Sequence, residues 1–286
     1  MSTLRVLVPL DGSALSAAII PYVRGLEPAV VTLVRVLGPE TEAAPSKMAE
    51  ELELVEMADR LRKQGIPAVG SLVRFGKPAE EILTLAKDLN VGLIALTTHG
   101  RSGFDHVVHG SVAEKVIRAA RVPVLAVHAT EPAPRDAPPV HLFEQVLVPY
   151  EGSPLAWRAV ETLALLGAAG KGRLTLYGVV ESDDAAPVIR TPPPNDVVAR
   201  YIDLRTEGMR DRLGHGVSRA ADLGFDATQD FDVGWVAAKI LEWSERHAAT
   251  LIAMGTHGRS GPSRWVFGSV TEKVLRNSPV PLLICK

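Results

Sequence analysis

Residues 251–274 form the stretch of the chain best suited to bind an anion. In this stretch, glycine and hydroxyl residues lie between an apolar run and a helical pattern. This stretch, LIAMGTHGRSGPSRWVFGSVTEKV, predicts a buried strand, a glycine-rich loop, and a helix that begins at Gly268 and Ser269. A loop that leads from a strand's carboxyl end to a helix N-terminus presents backbone N–H groups to a phosphate, whose charge the helix dipole favours. The loop glycines, Gly268 among them, permit close backbone approach and positive φ angles. The sequence therefore predicts non-covalent phosphate binding here.

The same stretch occurs twice in the chain. Residues 93–116 match residues 251–274 at 16 of 24 positions without a gap, and residues 5–13 (RVLVPLDGS) match residues 145–153 (QVLVPYEGS) at 6 of 9. Repeats this far apart indicate two domains of ordinary size, and 286 residues suffice for two cores. We predict domain 1 at residues 1–128, a proline-rich linker at 129–143, and domain 2 at 144–286.

Alternation of apolar runs with helical patterns predicts the fold class. The first copy is expected to hold strands at 5–9, 30–36, 69–74, 93–96 and 124–127, with helices from about 13 to 24 and at 47–64, 78–89 and 111–119. The second copy is expected to hold strands at 145–149, 173–180, 226–232, 251–254 and 281–285, with helices at 154–166, 197–221, 236–247 and 269–277. This βα alternation predicts an α/β fold with parallel sheets and right-handed crossovers.

The second copy carries an insertion after its second strand. Residues 181–196 (ESDDAAPVIRTPPPND) contain four prolines and no regular pattern. Because ligands bind at the carboxyl edge of open α/β sheets, a lid or interface loop is one hypothesis. A solvated loop without such a role is the alternative.

Composition narrows the function classes. The formal net charge of −2 shows no basic excess, so nucleic acid is not an expected partner. No apolar run approaches the length of a membrane span, and the N-terminus lacks signal-peptide features. The single cysteine, Cys285, fits a reducing compartment. We therefore expect a cytoplasmic protein that does not associate with membranes.

Several catalytic chemistries lack their motifs. The chain has no Gly-x4-Gly-Lys-(Ser/Thr) and no Gly-x-Gly-x-x-Gly, which excludes a P-loop and the common dinucleotide fingerprint. Residues 216–220 (GVSRA) partly match a nucleophile elbow but lie in a helical pattern. The eight histidines show no zinc-ligand spacing. We predict no catalytic residues.

These motifs resemble the universal stress protein family in its tandem two-domain form. Nucleotide-binding members carry Gly-x2-Gly-x9-Gly-(Ser/Thr) after the fourth strand, and the second copy has it complete at Gly255, Gly258, Gly268 and Ser269. The resemblance implies Rossmann-like, doubly wound domains with five-stranded sheets of order 3-2-1-4-5, packed about a pseudo-twofold axis. It also implies a site for ATP, or for AMP or ADP, with Mg²⁺ held through the phosphates and no metal ligands from the protein.

The resemblance implies two nucleotide sites. The expected C-terminal ATP-binding residues are Pro149, Glu151, Val179, Met254, Gly255, His257, Gly258, Arg259, Gly268, Ser269, Val270 and Thr271. The expected N-terminal residues are Pro9, Asp11, Val36, Thr97, Gly100, Arg101, Gly110, Ser111 and Val112.

Each copy departs from the family pattern at one position. Thr97 replaces the first motif glycine in the N-terminal copy, and its Cβ would crowd a phosphate or ribose. Glu151 replaces the aspartate in the C-terminal copy but keeps the carboxylate oxygens. Thr271 offers a hydroxyl where the first copy has Ala113. We therefore expect the tighter site in the C-terminal domain.

The resemblance favours a stress-response protein that acts as a nucleotide-binding regulatory module. The alternatives are a slow ATPase and a nucleotide-free stress scaffold. Hydrolysis would require a base or a positioned water, and the motif supplies no evident base. Expected partners are the adenine nucleotide and, beyond the internal pseudo-dimer, a second copy of the chain in a homodimer.

Overall fold

Short apolar runs form the strands, and amphipathic segments between them form the helices. The structure is a computed structural model that describes residues 4–28, 30–38, 44–98, 110–181, 195–256 and 268–286. The chain divides into two compact units, residues 1–142 with Lys286 and residues 143–285. The predicted α/β class with parallel sheets is confirmed, and each unit is built from alternating strands and helices.

The first unit has the predicted element order. Its strands are β1 (Arg5–Pro9), β2 (Val30–Leu37), β3 (Ala68–Phe75), β4 (Leu93–Thr97) and β5 (Val124–Val127). Its helices are α1 (Ile20–Gly25), α2 (Ala44–Lys63), α3 (Pro78–Asp88) and α4 (Ser111–Ala119). The strands pair in parallel in the order β3-β2-β1-β4-β5. Strand β4 is buried throughout, as expected of a parallel strand covered on both faces.

The second unit repeats this arrangement. Its strands are β6 (Gln145–Pro149), β7 (Arg173–Val180), β8 (Asp226–Val233), β9 (Leu251–Gly255) and β10 (Leu282–Cys285). Its helices are α5 (Pro154–Leu165), α6 (Asn195–Asp222), α7 (Val236–Arg246) and α8 (Ser269–Asn277). The strands pair in parallel in the order β10-β9-β6-β7-β8. The GVSRA segment at 216–220 lies inside α6, as its pattern predicts.

The first helix of the first unit differs from the prediction. Instead of one helix to Arg24, a 3-10 helix spans Ser16–Ile19 and α1 follows from Ile20. The Ser13 hydroxyl accepts a hydrogen bond from the Ser16 N–H (3.0 Å), which holds a tight turn there. Pro21 has no N–H to continue an i→i−4 ladder, so the α-helix begins beside it.

The proline-rich segment predicted as a linker packs against α1. Val140 N–H donates to the Pro21 carbonyl (3.0 Å), and the Arg24 guanidinium donates to the Ala137 carbonyl (2.6 Å). A Cβ atom at Gly25 would lie 1.8 Å from the Val140 carbonyl oxygen, so only glycine fits there. The contacts of Ala137 and Val140 therefore lie within the first unit. Most of the insertion at 181–196, for which a lid or interface loop was one hypothesis, lies outside the described residues, at 182–194.

Across the described parts of the chain, no helix combines the length and apolarity that a membrane span requires.

Candidate functional site

A cavity of about 660 Å³ lies at the carboxyl end of the second unit's strands. The ends of three neighbouring strands form its floor, with Pro149 from β6, Val179 from β7 and Gly255 from β9. Ligand pockets typically measure roughly 300–1,000 Å³. The cavity therefore has the position and the size of a small-molecule site in an open α/β sheet.

Every described member of the predicted C-terminal site lines this cavity. These residues are Pro149, Glu151, Val179, Met254, Gly255, Gly268, Ser269, Val270 and Thr271. The remaining predicted members, His257, Gly258 and Arg259, lie outside the described residues. The fold therefore brings two sequence blocks about 100 residues apart to one edge.

The turn into α8 forms one end of the cavity. The Gly268 N–H donates to the Thr256 carbonyl (2.9 Å), and the Gly268 carbonyl accepts from the Glu272 N–H (3.0 Å). Gly268 has φ −62°, so the positive φ that a glycine permits does not occur there. Among the described residues, no side chain caps this helix start, so the first-turn N–H groups of Ser269 and Val270 are placed to bind an anion.

The Thr271 hydroxyl, which we expected near the phosphates, has a hydrogen-bond partner within the protein. The side chain is buried, and its Oγ1 donates to the Gly255 carbonyl (3.0 Å). This bond fastens the first turn of α8 to the end of β9. Thr271 therefore positions the helix N-terminus, while its hydroxyl proton is used within the protein.

Glu151 presents a buried acceptor to the cavity. Its side chain is half-buried, and among the described residues no group donates a hydrogen bond to its buried Oε1. A buried carboxylate oxygen without a donor is costly, so such an atom commonly marks a ligand contact. The residue present therefore fits a ligand hydroxyl at this place.

Helix α6 forms a wall that sequence reasoning missed. Its lining residues share one helical face, and they are Leu204, Arg205, Gly208, Met209 and Arg212. A Cβ atom at Gly178 would lie 2.5 Å from the Met209 sulfur, so the bare backbone of β7 permits this close approach. Glycines in both elements, Gly208 of α6 and Gly178 of β7, are the only sequence signal of this close packing, and the sequence does not show that the two elements meet.

Two tyrosines complete the wall, and both stay protonated. Burial raises the pKa of Tyr150, although the positive charges of Arg219 and Arg212 oppose this effect. Burial also raises the pKa of Tyr177, which the Asp232 carboxylate raises further while accepting its hydroxyl proton (3.2 Å). Both phenols are therefore neutral hydrogen-bonding groups at neutral pH.

An aromatic and cationic stack supports Tyr150 from behind. Its ring meets the buried Trp157 edge-on at 6.1 Å, and the Arg219 guanidinium lies 3.9 Å from the Trp157 ring centre. Gly216 of α6 permits this packing, since a Cβ there would lie 2.8 Å from the Tyr150 ring. Tyr150 is therefore packed between Trp157 and the backbone of α6.

The first unit holds a smaller cavity of about 240 Å³ at the equivalent edge. Every described member of the predicted N-terminal site lines it, namely Pro9, Asp11, Val36, Thr97, Gly110, Ser111 and Val112. Gly100 and Arg101 lie outside the described residues. Asp11 Oδ1 already accepts from the N–H (2.9 Å) and hydroxyl (2.6 Å) of Ser13, unlike Glu151 Oε1 in the second unit.

A buried ion cluster takes the place of the cavity wall in the first unit. Arg35 follows the strand partner of Pro9, as Gly178 follows that of Pro149. Its guanidinium, 2% exposed, pairs with Glu50 and Glu53 of α2. Among the described residues, none from α2 lines the smaller cavity. The two units therefore differ at this strand position and in the helix beside it.

No group of three or more potential metal ligands occurs among the residues that the structure describes. A divalent ion at either site would therefore need oxygen ligands from water or from a bound phosphate in addition to those of the protein.

Comparison with known proteins finds universal stress proteins that match most of this chain. A universal stress protein of Mycolicibacterium smegmatis is 24% identical over 301 residues, covering 98% of this chain and 96% of that protein. One from Mycobacterium tuberculosis is 25% identical over 245 residues, covering 83% and 77%. The crystal structure of a universal stress protein from Archaeoglobus fulgidus is 25% identical, covers 100% of this chain and 99% of that one, and superposes with a TM-score of 0.70.

A family model gives the same result for each half of the chain. The model of the universal stress protein family matches residues 3–128 and again residues 142–286. The two matches together span nearly the whole sequence, which agrees with the internal repeat. This chain therefore belongs to the universal stress protein family and carries two of its domains in tandem.

Proposed function

We propose that this protein binds an adenine nucleotide, ATP foremost, in the cavity of its second unit and acts as a nucleotide-dependent regulatory module. One observation carries the proposal. A single cavity joins a helix N-terminus, a buried carboxylate oxygen and an apolar pocket, and within the described ranges no side chain caps the helix and no group donates to that oxygen. These three features match the phosphate, ribose and base of a nucleotide.

Each part of the ligand has its own counterpart in this arrangement. The N–H groups that begin α8 would hold the phosphates, and Glu151 would accept from a ribose hydroxyl. The base would lie against apolar side chains, which are Val179, Val236, Ile240 and Met254. Mg²⁺ would be held through phosphate oxygens.

The first unit is proposed to bind more weakly or to remain empty. Its cavity is about a third as large, and Thr97 ends β4 where the second unit has Gly255. Asp11 is engaged by Ser13, so a ribose hydroxyl would have to compete for its oxygen. We therefore propose one tight site per chain.

The nucleotide content of the purified full-length protein tests this proposal. Denaturation and anion exchange should release about one equivalent of ATP per chain, or the protein should take up added Mg-ATP to that level. Gly268→Val should abolish binding because a branched side chain would fill the phosphate position. Gly110→Val, at the matching helix start of the first unit, should leave the tight site intact.

Three outcomes would contradict the proposal. A purified protein that contains no nucleotide and does not bind added Mg-ATP favours the nucleotide-free scaffold. Loss of binding in Gly110→Val but not in Gly268→Val places the tight site in the first unit. Steady release of phosphate that is lost in Gly268→Val favours the slow ATPase.

The pseudo-twofold pairing of the domains, a homodimer of the chain and a cytoplasmic location stay predictions. Sedimentation with and without Mg-ATP would test the homodimer.

A further inference from the structure

A small cavity of about 50 Å³ lies between α1, α2 and the proline-rich segment of the first unit. Three arginines line it, Arg24 from α1, Arg60 from α2 and Arg135 from the segment, and we call it the arginine cavity. Among the described residues, no acidic residue lines it, and it shares no lining residue with either cavity at the strand ends. The fold therefore gathers three cations from separate parts of the chain at a place that the proposed nucleotide sites do not use.

The three guanidiniums have no acidic partner among the described residues, whereas the neighbouring Arg62 pairs with Asp59. Arg24 donates to the Ala137 carbonyl (2.6 Å), which is a neutral acceptor. The carboxyl ends of α1 and α2 offset about one positive charge, since each helix end is equivalent to roughly half a charge. Most of the positive charge of the cluster is therefore available to an anion.

Two buried atoms at the arginine cavity lack hydrogen-bond partners in the described part of the chain. One is the Nε–H of Arg24, a donor, and the other is Oε1 of Gln64, an acceptor. The Gln64 amide nitrogen faces Asp136 Oδ1 at 3.5 Å, so the amide oxygen is the atom left without a partner. Buried polar atoms of this kind are costly and commonly mark a ligand or an ordered water. A ligand that both accepts and donates hydrogen bonds would satisfy both atoms.

The volume limits the occupant to a few atoms. An ordered water needs about 10–15 Å³ of cavity volume, so this cavity holds about four oxygen atoms. A tetrahedral oxyanion has four oxygens. Arg60 and Gln64 are one turn apart on α2, so a single ion is able to contact both side chains. Size and charge therefore favour a small oxyanion over a nucleotide or a peptide.

We infer that the arginine cavity binds a free inorganic phosphate ion as hydrogen phosphate. Its oxygens accept from Arg24, Arg60 and Arg135, whose planar donors match the geometry of an oxyanion. Its remaining hydroxyl donates to Gln64 Oε1, and this contact distinguishes phosphate from sulfate, which carries no proton at neutral pH. Because Arg135 belongs to the proline-rich segment, the bound ion stabilises the packing of this segment on α1 and α2.

Two of the four side chains have no counterpart in the second unit. The positions are matched by counting from the serine after each unit's first strand and from the glycine after its second helix. The second unit then has Ala164 in place of Arg24 and Leu223 in place of Gln64. We therefore expect one phosphate site per chain, in the first unit.

Calorimetric titration of the full chain with sodium phosphate tests the inference, in a buffer free of phosphate and sulfate near neutral pH. One phosphate should bind per chain with a dissociation constant below about 1 mM, and it should raise the free energy of unfolding in urea. Sulfate has the same shape but no proton and should bind at least about tenfold more weakly. Methyl phosphate stands for a phosphate carried on another molecule. It should also bind at least about tenfold more weakly, because its methyl group adds an atom for which the cavity has no room.

Two arginine variants and a matched control locate the ion. Arg60→Gln and Arg135→Gln should each weaken phosphate binding at least about tenfold, as expected for the loss of a charge-assisted pair. Lys63→Gln removes the same charge from an exposed position at the same end of α2 and should change the affinity by less than about twofold. Comparison with Lys63→Gln removes the general effect of net charge.

Gln64→Leu tests the proton contact separately. Leucine, the residue found at the matching position of the second unit, has no acceptor. The affinity for phosphate should therefore fall toward that for sulfate, while the affinity for sulfate changes little. A merely structural role of Gln64 would weaken the binding of both ions alike.

Several outcomes would overturn the inference. Absence of phosphate binding means that the cavity holds water alone. Binding that persists in both arginine variants, or that falls as much in Lys63→Gln, places the ion elsewhere. Equal affinity for methyl phosphate excludes the free ion as the specific ligand, and equal affinity for sulfate excludes the contact with Gln64. Should Arg60→Gln fail to fold, Arg135→Gln on the exposed segment decides.

The nucleotide site and the phosphate site are separable. Loss of phosphate binding in Gly268→Val would place the ion at the nucleotide site and overturn the inference. A protein that binds phosphate at the arginine cavity but binds no nucleotide supports the inference and contradicts only the proposed function.

Discussion

Met209 packs directly on the bare backbone of Gly178, where a Cβ atom would lie 2.5 Å from the methionine sulfur and 2.7 Å from its Cγ. Leu213, one turn further along α6, would be 3.1 Å away. Because Met209 also lines the cavity, Gly178 allows α6 to approach the sheet closely beside the site.

Gly178→Ala should therefore destabilise the second unit and reshape its cavity. Forcing one carbon into this contact is overpacking, which typically costs about 1–3 kcal/mol. Urea unfolding followed by circular dichroism measures the change. Gly70→Ala is the matched control, since Gly70 is a strand glycine with nothing within 4 Å of its Cβ position, and it should change stability by less than about 1 kcal/mol. Equal effects at both glycines would contradict the contact.

Replacing Glu50 and Glu53 of the first unit should destabilise the protein more than replacing their partner Arg35. Arg35 is buried, whereas Glu50 and especially Glu53 reach solvent. Glu50→Gln with Glu53→Gln leaves a buried guanidinium uncompensated, which costs about 3–5 kcal/mol. Arg35→Met leaves two carboxylates that can rehydrate. Urea unfolding of both variants at neutral pH checks the order, and a costlier Arg35→Met would reverse the argument.

Thr97→Gly should improve nucleotide binding by the first unit. It removes the side chain that ends β4 in the smaller cavity and restores the residue type found at Gly255. In a Gly268→Val background, where the second site is disabled, any Mg-ATP uptake reports on the first unit. We expect affinity to rise at least about tenfold over the background protein. No gain would mean that Asp11 and the small volume limit binding instead.

Because of Tyr177, the free energy of unfolding of the second unit should decrease at alkaline pH. Its pKa is raised mainly by burial and then by Asp232, so the folded state keeps the phenol proton after the unfolded chain loses it near pH 10. The stabilisation from this group is therefore complete below about pH 10 and declines as the pH rises above that value. Tyr177→Phe should make the fall between about pH 9 and 11 shallower, measured by urea unfolding. An unchanged slope would contradict the shift.

Tyr177→Phe should also lower the free energy of unfolding at neutral pH. Loss of the hydroxyl bond to Asp232 should cost about 1 kcal/mol there. The test is thus the difference in slope, since Lys239 near Asp232 titrates in both proteins.

The glycine motif predicted the strand, the helix start and the shared edge because these follow from local pattern and from parallel-sheet geometry. Glu151 and Gly268 were grouped in one site through the family resemblance, and the structure brings both to one cavity. The α6 wall was missed because Arg212 enters the cavity only where Gly178 lets the helix approach, and such a contact has no local signature. Thr271 was expected to offer its hydroxyl near the phosphates, and the bond that this hydroxyl donates to the Gly255 carbonyl is a tertiary contact that the sequence did not indicate.

The edge-on contact between Tyr150 and Trp157 makes tryptophan fluorescence a probe of the second unit's cavity. All four tryptophans of the chain lie at positions 157, 235, 243 and 265, within the second unit, so tryptophan emission reports on that unit while the first stays dark. Trp157 touches a residue that lines the cavity and lies under a guanidinium, which makes its emission sensitive to a ligand that moves either neighbour. Occupancy of one half of this duplicated chain can therefore be followed by intrinsic fluorescence without attaching a dye.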